Sequence, residues 1–338
     1  MRVAVLFNDD LGLRATPGVG PGAEASDPEA VQGVREARDA VLKALRALGH
    51  RAEVISVGAD PEPSLWALRA LDPEVAFNLV ESVAGRARLE AAFAWLLEWL
   101  QIPFTGSAPE VLSLALDKGV AKAVLAQAGL PVPAGVIIST GKESFAHLHA
   151  PWIVKPLRQD ASHGIDAGSV TSDREQARAR ATELRARFGE PVLLEELIEG
   201  RELNVSILQS AAGTEVLPPG EIDFSRFPTG SPRILTYAAK WREDSVEYLT
   251  SPAIAARDLS PGLEAELAGR AVAAVHALGI RGYGRVDFRV DAARGPVVLE
   301  VNPNPDLSPK AGFARAAARK GLSYEQLVAR ILDAALET

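Results

Sequence analysis

The first hundred residues alternate short apolar strands with an amphipathic helix, and that rhythm narrows the fold more than any other feature of the chain. Residues 3–7 form an apolar run of strand length; Val31, Val34, Val41, Leu42, Leu45 and Leu48 then recur at helical spacing. The helix has a start, with Ser26 or Asp27 as cap and Pro28 and Glu29 in the first turn, and a stop at Gly49. Two further strands follow at residues 52–57 and 75–80. Strand, helix and strand in this order predict a parallel sheet covered by helices on both faces. At 338 residues the chain exceeds one comfortable core and fits two or three domains of roughly 100–150 residues each.

Residues 11–25, between the first strand and its helix, are rich in Gly and Pro. Gly18-Val19-Gly20-Pro21-Gly22-Ala23 imitates a dinucleotide fingerprint, but that fingerprint needs its first glycine directly after the strand, and Gly18 stands well beyond Phe7. The stretch reads instead as a mobile loop over a site. A hydride-transfer enzyme is disfavoured on the same ground. A net charge of -8, with no opposing cluster of Lys and Arg, argues against a nucleic-acid surface. The absence of cysteine excludes disulfides, thiolate metal sites and cysteine nucleophiles. Residues 1–7 are too short for a signal-peptide apolar region, and the longest apolar run, residues 89–100, is broken by Glu90 and Glu98, far short of a membrane span. The expectation is a cytoplasmic protein with no membrane or nucleic-acid partner.

A second unit opens after Ile102-Pro103-Phe104-Thr105-Gly106-Ser107 with a helix over residues 117–128 that ends at Gly129. Strands follow at 135–139 and 151–156. The latter carries Lys155 and leads into the loop Leu157-Arg158-Gln159-Asp160-Ala161-Ser162-His163-Gly164. A helix over 173–188 and a strand over 192–194 run into Glu195-Glu196-Leu197-Ile198-Glu199-Gly200-Arg201-Glu202. The last unit holds a helix over 261–278 and a C-terminal helix capped by Ser323, with Gln326 three residues on. The expected division is 1–105, 106–190 and 191–338.

The last unit also holds two strands, Gly284-Arg285-Val286-Asp287-Phe288 and Val297-Val298-Leu299-Glu300-Val301-Asn302. Alternation sets Glu300 and Asn302 on one side and Leu299 and Val301 on the other. Asp287, Glu300 and the Asn302 amide carbonyl are a hard-oxygen set suited to Mg²⁺, which takes one or two carboxylates and completes its octahedron with water and phosphate oxygens. Eight lysines stand against 28 arginines, and Lys118, Lys155 and Lys240 lie at element ends, where a flexible ammonium suits phosphate. Lys43, Lys122, Lys142, Lys310 and Lys320 show no further pattern.

In this order the pieces resemble the ATP-grasp superfamily and, within it, the D-alanine–D-alanine ligases. The markers are Phe77-Asn78-Leu79, Pro103-Phe104-Thr105-Gly106-Ser107, Asp117-Lys118, Val154-Lys155-Pro156, Leu194-Glu195 with Gly200-Arg201-Glu202, Ala239-Lys240, Gly284-Arg285-Val286-Asp287 and Leu299-Glu300-Val301-Asn302. The match is firmest from Ile102 onward. It implies a multidomain α/β and α+β protein, an ATP-grasp fold behind an N-terminal Rossmann-like domain with a parallel sheet. It further implies that Lys118, Lys155 and Lys240 meet the phosphates of ATP, Glu195 the adenine amino group, the backbone near Leu197 and Ile198 the ring edge, and Glu202 the ribose. By the same resemblance Asp287, Glu300 and Asn302 hold Mg²⁺, with Mn²⁺ an alternative ion, Arg285 stabilises the reacting carboxyl oxygens, and Ser162 lies in the loop over the phosphates. His163 in that loop is either solvated or a substrate contact, and His147 with His149 lacks a third metal ligand. A homodimer is a family expectation. The chemistry is coherent. A carboxylate is a poor electrophile, so it attacks the γ-phosphoryl of ATP, and an amine then displaces phosphate from the acyl phosphate. Positioning and electrostatics carry such a reaction, and no side-chain nucleophile is needed.

The departures fall on the substrate side. Two adjacent serines of the family become Ala161 and Ser162, a tyrosine becomes Trp241, and the glutamate that joins them has no counterpart, so the closing network is expected to be rebuilt. Asp306 replaces a glycine. Ala311-Gly312 replaces a serine-leucine pair that receives the second D-alanine's carboxylate, with Lys310 adjacent as a substitute; loss of such a hydroxyl changes discrimination strongly. Glu81-Ser82 stands where the family has histidine-glycine, with Arg86 and Arg88 close behind, and Glu81 either pairs with a substrate amine or is a solvated helix-start acid. The resulting expectation is an ATP-dependent carboxylate–amine ligase that forms a dipeptide or related amide from small-molecule substrates, with specificity altered from D-alanine. The alternatives are strict D-alanyl-D-alanine synthesis for the cell wall and a non-catalytic nucleotide-binding regulator. The retained Arg285 argues against the regulator, which has no use for a reaction-centre arginine.

Overall fold

The computed structural model describes residues 1–9 and 28–337. The glycine-rich run at 18–23, the loop expected over a site and the Ser26 or Asp27 cap lie outside them. The N-terminal sheet is parallel, as the strand-helix rhythm predicts. Strand β1 (Arg2–Asn8) is its centre. Helix α1 (Pro28–Ala47) leads to β2 (Arg51–Val57), and helix α2 (Glu62–Leu71) to β3 (Val75–Leu79); both strands pair with β1 in parallel. Val34, Val41 and Leu45 of α1 pack on Val3 and Val5 on one face. On the other, Leu68 of α2 with Phe93 and Leu97 of α3 (Leu89–Trp99) covers Ala4 and Leu6. The apolar run at 89–100 is thus α3, and among the described residues no helix is long and apolar enough to cross a membrane.

Helices α4 (Pro109–Leu116) and α5 (Lys118–Gln127) meet at Asp117, whose carboxylate accepts the Gly119 and Val120 N–H groups, 3.1 Å each. Such a cap is worth about 1 kcal/mol. A four-stranded antiparallel sheet follows, built from β4 (Gly135–Ile138), β5 (Trp152–Pro156) and β6 (Val170–Thr171), then, after α6 (Arg174–Phe188), β7 (Val192–Glu196); its order is β4-β7-β5-β6. Trp152, Val154, Val192 and Leu194 enter the core under α6, so alternation leaves Lys155 and Glu195 on the opposite face.

The largest sheet contains β8 (Arg201–Ser210), its hairpin partner β9 (Gly213–Val216) and β10 (Gly220–Ile222). Two single-turn helices follow, α7 (Tyr237–Trp241) and α8 (Val246–Thr250), before β11 (Ala253–Ala255). Helix α9 (Pro261–Leu278), begun by the Ser260 cap and stopped by Gly279, precedes β12 (Tyr283–Asp291) and β13 (Gly295–Asn302). The order is β11-β10-β8-β12-β13. The last helices, α10 (Gly312–Arg319) and α11 (Tyr324–Leu336), return to the first sheet, where Phe313, Leu327 and Ile331 join the core of Val3 and Val5.

Packing divides the chain differently from the boundaries at 105 and 190. Val111, Ala121 and Leu125 of α4 and α5 belong to the core of Val205, Leu267, Val275 and Phe288, and β7 closes the central sheet from beyond residue 190. Apolar faces bury against the surface that best covers them, and for α4 and α5 that surface is α9 and the large sheet.

Candidate functional site

The face of the large sheet opposite α9 carries the polar side chains of the expected site. Val286 and Phe288 of β12 point into the core, so Arg285, Asp287 and Arg289 share the other face. Arg285 donates to both oxygens of Asp287, Nε and Nη2 each at 2.8 Å, and Asn302 Nδ2 donates to Asp287 Oδ2 at 3.1 Å. Glu300 is the cross-strand partner of Asp287, and Asn302 of Arg285. The four side chains therefore lie within two rungs of one ladder.

Strict alternation fails at Leu299. The register passes from Asp287↔Glu300 to Phe288↔Val298, so Leu299 is the extra residue of a β-bulge. Val298 and Val301, three residues apart, both reach the core, whereas Leu299 does not. The bulge corrects the expectation that Leu299 points inward with Val301, and it frees the Leu299 carbonyl for another donor.

That donor is on α5. Lys118 and Lys122 stand one turn apart on the same helix face. Lys118 Nζ lies 3.4 Å from Glu300 Oε1 and 3.6 Å from Asp160 Oδ1, and donates to the Gln159 carbonyl at 2.5 Å. Lys122 Nζ donates to the Leu299 carbonyl at 2.9 Å and reaches Glu195 Oε2 at 3.1 Å; Lys155 Nζ holds Glu195 Oε1 at 2.6 Å. Glu195 is 2% exposed, and a lone carboxylate there would lose its hydration uncompensated. Burial alone would raise its pKa, but Lys122 and Lys155 outweigh burial and hold it below the ordinary carboxylate value. Burial pushes Lys122 down to about 8, with Glu195 opposing and Lys155 adding repulsion. Glu300 is likewise drawn upward by withdrawal from water, yet Lys118, Lys155, Lys240 and Arg285 hold it down at about 2.

Other expected residues border this group. Glu202 Oε2 accepts Arg289 Nη2 at 2.6 Å, and Arg289 also donates to the carbonyls of Gly200 and Arg233. Leu197 donates its backbone N–H to Pro151, so that N–H is committed within the protein, and the Ile198 side chain is buried. Lys240 lies over the Trp241 ring, and withdrawal from water, then the Arg285 charge, lower its pKa.

The loop at 157–164 is tied to the segment at 234–241. Ser162 Oγ donates to the Leu235 carbonyl at 3.0 Å, Trp241 Nε1 to the Ala161 carbonyl at 2.9 Å, and Tyr237 N to Ile165 at 2.9 Å. His163 lies beside Tyr237, ring centroids 5.2 Å apart. The Trp241 ring also reaches α1, where a β-carbon on Gly33 would stand 3.7 Å from it. Through these bonds an indole N–H and a backbone carbonyl join the loop to α7.

Around the cavity next to Tyr283 the charges change character. Glu81, Asn78, Asn304, Asp306 and Tyr283 line one small cavity. Asp306 accepts the Ser308 N–H at 2.7 Å and its hydroxyl at 3.0 Å, and Asn304 Nδ2 donates to Glu90 at 3.3 Å. Asn304 Oδ1 accepts Ser107 N–H, at a turn where Gly106 (φ +92) leaves no room for a β-carbon. Burial, then Asp160 and Glu81, raise the Glu90 pKa. The crowd of protein around Glu81, then Asp306, raise that carboxyl as well, with Lys240 opposing; its open side chain moderates the rise. Among the described residues Glu81, Glu90 and Asp306 form no salt bridge, and the Lys240 charge acts on Glu81 and Asp306 from a distance. Asn78 is 1% exposed and its Nδ2 has no partner. Lys310 is exposed and apart from this group, His147 and His149 are exposed, and Ala311 is the N-cap of α10.

Sequence reading passed over Lys122, Arg289 and Asn304. The first was detectable as the residue one turn after Lys118, and the second as the next same-face position after Asp287. The third depends on a contact with Ser107 that no local pattern announces.

Comparison with known proteins bears on this arrangement. The family model described as D-ala D-ala ligase C-terminus matches residues 125–333. The chain is 32% identical over 293 residues to D-alanine–D-alanine ligase of Gluconobacter oxydans, covering 86% of this chain and 89% of that protein. It is 35% identical to the ligase of Bordetella avium, covering 86% of each. The crystal structure of D-alanine–D-alanine ligase from Bacillus anthracis complexed with ATP superposes with a TM-score of 0.75 at 20% identity, covering 99% of this chain and 97% of that one.

Proposed function

Since the chain belongs to the D-alanine–D-alanine ligase family, we propose that it joins a carboxylate to an amine at the expense of ATP, through an acyl phosphate, with a substrate preference moved away from D-alanine. The ATP-grasp fold and membership of the family make it an ATP-dependent ligase forming C–N bonds. The observation that carries the finer reading is the ladder of Arg285, Asp287, Glu300 and Asn302, with Lys118 and Lys240 facing it.

Lys118, Lys155 and Lys240 bring positive charge to the polyphosphate. Arg285, held in orientation by its two bonds to Asp287, offers its remaining guanidinium N–H groups to the reacting carboxyl oxygens. Ser162 and Trp241 hold the loop over the phosphates through Leu235 and Ala161. Glu195 receives the base amino group, Glu202 the ribose, and the backbone at Leu197 and Ile198 the ring edge; with the Leu197 N–H committed to Pro151, recognition there falls to the Leu197 carbonyl and to Ile198. The donor set fits Mg²⁺: Asp287 and Glu300 face across one rung with Asn302 beside them, all hard-oxygen groups. When bound, the ion would neutralise charge building on the transferred phosphoryl group.

The altered preference is supported by the acids around the cavity next to Tyr283. Glu81, Asp306 and Glu90 form no salt bridge among the described residues, so a substrate ammonium fits beside them, and Glu81, Asp306 and Trp241 are the positions at which preference would be set, whereas Lys310, exposed and apart from them, is not. A second reading, strict D-alanine ligation, is favoured by the activity named for the Gluconobacter and Bordetella relatives. Steady-state kinetics with D-alanine against other amino acids separates them. A preference for D-alanine at both positions would establish the second reading, and a higher kcat/KM for another pair the first.

A further inference from the structure

The strongest unassigned feature is a buried lysine that joins the central sheet to the large one. Lys122 is 8% exposed and its ammonium has two partners from different sheets, the Glu195 carboxylate of β7 and the Leu299 carbonyl of β13, which lies 177 residues along the chain. Each partner has a specific need. One Glu195 oxygen lies against Lys155 and the other against Lys122; the Lys122 contact is an ion pair that leaves Oε2 without a hydrogen-bond donor among the described residues, so this oxygen is held by charge and stays open to a donor from a ligand. Leu299 is the bulged residue, so its carbonyl leaves the ladder and requires a donor from elsewhere. The peptide that carries this carbonyl leads directly into Glu300, and its tilt sets the direction in which the Glu300 side chain leaves the strand.

We infer that Lys122 is a positioning residue of the nucleotide site, holding the base-facing carboxylate of Glu195 and the bulge carbonyl before Glu300 on a single ammonium. This rests on the reading of Glu195 as the group that faces the base. Lys155 lies where polyphosphate would compete for it, whereas the described partners of Lys122 are Glu195 and Leu299 alone. When phosphate draws on Lys155, Lys122 keeps Glu195 ionised and oriented. A fixed carboxylate accepts a hydrogen bond from the adenine amino group and repels the carbonyl oxygen that inosine triphosphate carries in its place.

The test is the ratio of ATP to inosine triphosphate affinity, measured by calorimetry on the full chain without divalent metal, so that no turnover is involved. Glu195→Gln is the reference and lowers the ratio. Lys122→Met lowers it by about tenfold, the scale of one charge-assisted hydrogen bond. Lys122→Arg keeps the charge but displaces Glu195 with a longer planar head, lowering the ratio by about threefold with the melting temperature retained. An unchanged ratio in folded Lys122→Met, with Glu195→Gln diminished, overturns the inference. If Lys122→Met does not fold, an unchanged ratio in Lys122→Arg overturns it equally. An unchanged ratio in Glu195→Gln removes the base-facing assignment itself, and the inference with it.

Discussion

Around Glu195 and the Asp287 rung each carboxylate meets a cation: Glu195 with Lys155 and Lys122 at 2.6 and 3.1 Å, Asp287 with Arg285 at 2.8 Å, Glu202 with Arg289 at 2.6 Å, Glu300 with Lys118 at 3.4 Å. At the other end Glu81, Glu90 and Asp306 form no salt bridge among the described residues, and Glu90 and Asp306 accept from the neutral Asn304 and Ser308. The first arrangement is electrostatically complete before any ligand arrives and suits a ligand common to a whole family. The second holds its acids together without a salt bridge, and burial with mutual repulsion raises the pKa of Glu81 and Glu90; under the proposed reading a substrate ammonium would be the partner that returns them to the ionised form. Under the proposed reading, nucleotide binding draws on groups from both sheets, whereas substrate choice is set by a few side chains around one cavity.

Breaking the complete end has the largest expected effect. Glu300→Gln removes a carboxylate from the Asp287 rung and should lower kcat by about 10³-fold while nucleotide binding stays measurable by calorimetry; unchanged turnover would remove its metal role. The incomplete end is sharpened by Glu81→Gln and Asp306→Asn. Each should raise the KM for the ammonium-bearing substrate by about tenfold, with the KM for ATP unmoved, and equal rises in both would assign these acids to structure alone.

Trp241→Phe deletes the bond to Ala161 and withdraws the outer ring atoms that face Gly33; the lost bond is worth about 1 kcal/mol and so about fivefold in kcat, with faster proteolysis near residues 157–164 as a second readout. The smallest effect is a pH dependence. Lys122 and Lys155 hold the Glu195 pKa in the folded chain below its unfolded value of 4.5, so the folded state binds fewer protons there. Its contribution is whole above that value and disappears as pH falls through the folded pKa. The stability difference between wild type and Glu195→Gln in urea should therefore shrink on acidification below about 4.5; a difference constant with pH would contradict the pairing.

What could be read without coordinates follows the same division. Helix α9, with Ser260 before it and Gly279 after it, and α11, with the Ser323 and Gln326 capping box, announce their ends locally. Asp287, Glu300 and Asn302 keep a two-residue alternation that survives into the ladder. Leu299 defeats it because a bulge is a property of the strand pair, not of either strand alone. Lys122 gave no local hint of its partners, since Leu299 is 177 residues away. Short strands such as β10 and β11, three residues each, are too brief for periodicity to register and exist because the neighbouring strand pairs with them. The packing of α4 and α5 with α9 likewise depends on which apolar face is nearest in space.

The measurement that bears most directly on the central claim is phosphate release from ATP and Mg²⁺ across D- and L-amino acids, singly and in pairs, with product masses determined for each positive. The account predicts release that depends on an amino-acid substrate other than D-alanine alone, a product mass equal to the two substrates less water, and loss of that signal in Glu300→Gln. Phosphate release that ignores every amine and carboxylate offered, in a protein that still binds ATP, would contradict it.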